Sequence, residues 1–89
     1  MYPCSIRTLQ ADALFASALQ RSDVPSASQI RRAIAVALDG YGAPGCAGRV
    51  AQEFGDHPET AAARMRWARA TVAALDGQPA PREIMITAA

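Results

Sequence analysis

Apolar residues recur along this chain at helical spacing, and four stretches carry the pattern. The first places Ala11, Leu14, Phe15, Ala18 and Leu19 on one face, with Arg7, Gln10 and Ser17 opposite. That spacing predicts a helix over about residues 6–20. The second places Ile30, Ile34, Ala37, Leu38 and Tyr41 along one side and predicts a helix over about 26–39. Ser26 followed by Gln29 supplies a reciprocal capping pair at its start. The third is short, about 46–54, with Ala47, Val50, Ala51 and Phe54 as its expected inner face. The fourth runs over about 57–76 and repeats Ala61, Met65, Ala68, Val72 and Leu75 at steps of 4, 3, 4 and 3.

The breaks between these stretches carry turn chemistry. Pro25 biases Val24 away from the right-handed helical region, so the first helix must have ended by then. Gly40-Tyr41-Gly42-Ala43-Pro44-Gly45 reads as an interhelical connection. It lacks the Lys-Ser/Thr ending of a phosphate loop. Asp56, Pro58 and Glu59 read as cap, first-turn proline and reciprocal carboxylate of the last helix. Gly77 and Pro79 stop that helix. The fold expected is therefore all-α: a bundle of four helices over 1–77, followed by an extended or disordered tail over 78–89. In that tail Ile84-Met85-Ile86 is apolar but too short to form a sheet.

The last helix carries a second apolar stripe. Ala63, Trp67, Ala70 and Ala74 lie nearly opposite the first one. A helix apolar on two faces is central in its bundle or covered by something else, and short helices cannot easily surround one of their own. The expected cover is a second copy of the chain or another protein, anchored by Trp67.

Composition narrows the function classes. Eighty-nine residues allow one domain with a small core, burying about 60–65% of the unfolded surface. Apolar residues make up 51% but aromatics only 6%, and alanine fills much of the difference. All nine basic residues are arginine, read first as a high-GC coding bias and only second as a choice for bidentate recognition. The net charge of +1 gives no overall footprint for nucleic acid, so any such surface must be local. No run reaches the length of a membrane span. Cys4 and Cys46 have neither metal nor redox spacing, which points to free thiols in a reducing cytoplasm.

Catalytic chemistry finds no constellation. His57 is the one histidine, and Glu53, Asp56 and Glu59 form the one carboxylate cluster without calcium-loop spacing. No enzyme, metal or cofactor is expected. Cys46, in the first turn of the third helix, is read as a small buried hydrophobe in preference to a reactive thiol.

Two resemblances follow from these residues. Over about 47–66, Ala51 and Gly55 match the small residue and the turn glycine of the helix-turn-helix pattern. Asp56 and Arg64 depart from it, each standing where that family has an apolar residue. That resemblance implies duplex DNA as the alternative partner, with Thr60, Arg64, Arg66 and Arg69 at the bases or phosphates. Taken whole, Leu9-Gln-Ala-Asp-Ala-Leu-Phe15, Gly45-Cys-Ala, Arg49 through Glu59, and Arg64-Met-Arg-Trp67-Ala resemble a group of short helical proteins from high-GC bacteria. The group has no assigned activity, so the likeness implies a bacterial cytoplasmic protein and no site. The expected function is a small interaction or regulatory module that self-associates, as a homodimer, or binds a protein partner through the last helix.

Overall fold

The structure is a computed structural model that describes residues 6–76. The predicted tail over 78–89 lies outside the described residues. Three α-helices and one short 3-10 turn account for the described chain: α1 (Ile6–Ala16), the 3-10 turn Arg21–Asp23, α2 (Ala27–Asp56) and α3 (Pro58–Asp76). Each helix packs against both others. The all-helical class is as the periodicity implies; three helices form, the second of which joins the second and third expected ones across a kink at Gly42.

The difference lies in α2. The expected connection over 40–45 is a kink inside one long helix, with Gly42 as its single non-helical residue (φ 70°, ψ 168°). Pro44 sits two residues past that break. It falls in the first turn of the second limb, where a missing N–H costs little and the proline φ already suits a helix. One glycine and one proline thus redirect the chain without a loop.

The start of α2 follows the sequence signal. Ser26 Oγ accepts from the Gln29 N–H at 3.2 Å, and Gln29 Oε1 accepts from the Ser26 N–H at 2.8 Å. Ser26→Ala is expected to cost about 1 kcal/mol, the usual worth of such a cap. Urea unfolding of the variant beside the parent checks this; an unchanged midpoint would remove the capping pair from the account.

Helix α1 ends at Ala16, four residues earlier than its pattern suggests. The Ser17 hydroxyl donates to the Leu14 carbonyl at 2.6 Å, and the Leu19 N–H donates back to Ser17 Oγ at 3.3 Å. A serine bonded to its local backbone competes with helix continuation. Ala18 is consequently exposed and Leu19 only half-buried. Val24 then takes a left-handed conformation (φ 46°, ψ 60°), uncommon for a β-branched residue, just before Pro25.

The start of α3 also differs. Asp56 is the last residue of α2, not the cap of α3. His57 is the one residue between the helices: its N–H donates to the Glu53 carbonyl at 2.7 Å, and its carbonyl accepts from the Ala61 N–H at 2.8 Å. Pro58 explains the register, because it disfavours the helical region for the residue before it and so fixes the break at 57.

The core is assembled from one stripe on each helix. Ala11, Ala13, Leu14 and Phe15 come from α1, and Ile30, Ile34, Ala37 and Cys46 from α2. All five members of the predicted α3 stripe, Ala61, Met65, Ala68, Val72 and Leu75, are buried. The second limb of α2 keeps part of its expected inner face. Cys46 is buried and Val50 turns inward, as expected, but Ala47 and Ala51 are exposed. Phe54 lies at the edge, stacked on Phe15 with ring centroids 6.2 Å apart. No polar side chain is buried among the described residues.

Candidate interaction surface

Arg64 looks outward on a helical wheel, yet its guanidinium closes the C-terminal end of α1. Nε donates to the Phe15 carbonyl at 2.9 Å. Nη2 reaches the carbonyls of Leu14, Ser17 and Leu19 at 3.3, 2.9 and 3.0 Å. Carbonyls at the end of a helix lack intrahelical partners, where its dipole is negative; Leu14 already accepts from the Ser17 N–H and hydroxyl, and Arg64 adds to these bonds. The guanidinium also lies 5.8 Å from the Phe15 ring centroid and 5.2 Å from that of Trp67. Burial lowers the Arg64 pKa from its ordinary value, and the charge of Glu53 opposes that.

This placement decides much about the residues singled out by sequence. Trp67 is half-buried and packs against the core, so it is not the centre of an open apolar face. Ala63 is half-buried beside it, while Ala70 and Ala74 are exposed further along α3. Of the residues with which the duplex-binding reading was built, Thr60, Arg66 and Arg69 are exposed. Arg64 is separated from them by its bonds to α1. Gly55 lies inside α2, not at a turn. Arg69 faces Asp12: burial raises the Asp12 pKa, and the Arg69 charge pulls it back.

Cys46 is fully enclosed, with its thiol 3.6 Å from the Ala37 carbonyl. Burial pushes its pKa up, the charge of Asp12 adds to that, and Arg49 opposes it. A thiol so placed stays protonated near neutral pH and cannot be reached by an electrophile. His57, Glu53, Asp56 and Glu59 are all exposed, and among the described residues no group of three or more such side chains is placed to hold a metal ion. No described helix is long and apolar enough to cross a membrane.

A concave feature lies elsewhere, between the end of α1 and the first limb of α2. It is an open groove of about 630 Å³. Leu19, Ala33, Ala37 and Tyr41 line its apolar part, Val36 stands at its side, and Asp23 and Arg32 mark its polar margin. Val36 is 62% exposed and Tyr41 46%. The Tyr41 ring is held from behind, because the Arg49 guanidinium lies 4.6 Å from its centroid across the kink. The helical wheel left Val36 without a role, since it falls off the Ile30–Ile34–Ala37 stripe. An isolated β-branched residue on the polar side of a helix was the one available signal. No family model, curated protein or solved structure matches this chain.

Proposed function

We propose that the chain is a non-enzymatic protein-interaction module, and that the groove between α1 and α2 is its contact surface. One observation carries the reading: Val36 and Tyr41 stay exposed beside an apolar groove, whereas Phe54, the other exposed large apolar side chain of α2, is stacked on Phe15. Exposed apolar surface gathered around a concavity is the usual form of a contact site. The proposal keeps the interaction module expected from the sequence and moves its surface from α3 to α2. Trp67 is engaged by Arg64 and the core, which removes the reason to seek its cover in another chain. The duplex-binding alternative retains Arg66 and Arg69 but not Arg64, whose donors serve the end of α1. A cytoplasmic setting belongs to the same proposal, supported by an enclosed, unpaired thiol at Cys46.

A photo-cross-linking amino acid placed at Val36, and separately at Ala74, tests the reading in cells that make the protein. The expected result is a covalent adduct with a protein from position 36 and none from position 74. An adduct from position 74 alone would return the surface to α3. Silence at both positions would overturn the interaction reading.

A further inference from the structure

We infer that the occupant of the groove is a second copy of this chain, paired about a two-fold axis along the first limb of α2. The inference rests on the reading above and names its partner. A two-fold interface brings one patch against itself, so the patch must be self-complementary in shape and charge. This one carries the elements of both. Ala33, Val36, Ala37 and Gly40 fall at i, i+3, i+4 and i+7, on one face of α2. Ala33, Ala37 and Gly40 are small and line the groove, so a second helix can approach closely there. Val36 stands proud of the same face. Each copy therefore presents both a projecting side chain and a recess to receive one.

The margin of the groove carries Asp23 and Arg32, one charge of each sign. A two-fold axis can set Arg32 of one copy against Asp23 of the other without burying like charges together. A patch of one sign would repel its own copy and favour a different partner. The contact is small, because the first limb before Gly42 is only about four turns long. Such an interface belongs at the weak end of specific association, with a dissociation constant on the order of 10 µM.

Sedimentation equilibrium of the full chain, from low micromolar to near-millimolar concentration, is the test. The expected result is a reversible monomer–dimer equilibrium that Val36→Asp weakens tenfold or more and Ala74→Asp leaves unchanged. Val36 is exposed, so the thermal midpoint of V36D should stay close to the parent and a loss of dimer cannot be assigned to misfolding. A monomer at every concentration overturns the inference, and so does a dimer indifferent to V36D. A monomer whose position-36 cross-link carries a different protein overturns the second copy and leaves the interaction module standing. A monomer with no cross-link overturns both.

Discussion

Arg64→Met should lower the stability of the domain by about 3 kcal/mol. The substitution keeps most of the aliphatic stem and removes the fork that serves four carbonyls at the end of α1. A hydrogen bond to a charged group contributes about 1.5–3 kcal/mol, and an acceptor left dry costs about 1–3 kcal/mol. These values do not add, because the site is partly open to water and the freed carbonyls can recover some hydration. The Phe15 and Trp67 rings also lose their cation. For a domain of this size the thermal midpoint should fall by roughly 12–24 °C. Arg64→Lys separates charge from geometry. A lysine keeps the cation at the negative end of α1 but offers one compact donor group in place of a planar fork. It should therefore recover only part of the loss. The measurement is urea unfolding of both variants followed by helical circular dichroism. A loss below about 1 kcal/mol for the methionine variant would show that the carbonyls of Phe15, Ser17 and Leu19 are satisfied without the guanidinium.

This residue also shows where sequence reading stops. The α3 stripe from Ala61 to Leu75 is legible in full, because its five apolar side chains at alternating steps of four and three include the larger Met65, Val72 and Leu75, where the opposite stripe is mostly alanine. The Ser26–Gln29 pair was legible for the same kind of reason: both partners lie within one turn. The end of α1 was not. Its periodicity continues through Ala18 and Leu19, but the backbone turns at Ser17 and is fastened there by Arg64, far along the chain. A local pattern cannot report a partner that distant. On a helical wheel Arg64 was an outward cation available to phosphate, and only the tertiary structure shows its donors already in use.

The second limb of α2 is legible only in part, for a different reason. Many of its positions are alanine or glycine, which give a helical wheel little contrast, so Ala47 and Ala51 read as inward beside Val50 although they are exposed. The groove was invisible on similar grounds. It is formed by the early stop of α1 and the bend of α2, neither of which the periodicity contains. In a straight helix the stripe places Tyr41 with the core. With the bend one residue later, it lies at the groove and stacks on Arg49.

That bend supplies the second large effect. Gly42→Ala should destabilise the domain by about 2 kcal/mol. At φ 70° and ψ 168° the backbone occupies a region that is essentially reserved for glycine, and a β-carbon there carries about 1–3 kcal/mol of strain. The nearest heavy atom to the added carbon would be Pro44 Cδ at 3.8 Å, an ordinary contact, so the cost comes from the backbone and not from crowding. The strain cannot be relieved by straightening the helix. Pro44 has no N–H to donate to Gly40, and its ring would meet that residue's carbonyl in a continuous helix. Gly40→Ala and Gly48→Ala provide the contrast. Both positions are helical, and a β-carbon at either meets nothing within 4 Å. Each should be neutral or stabilising by about 0.5–1 kcal/mol, because alanine has less freedom to lose on folding. Thermal unfolding of the three variants side by side would reveal the difference as opposite shifts, with Gly42→Ala falling by roughly 8–16 °C. If all three shift alike, the left-handed glycine does not hold the kink. The groove beside it would then need another explanation, since Tyr41 reaches its place at the groove only when the chain turns at the next residue.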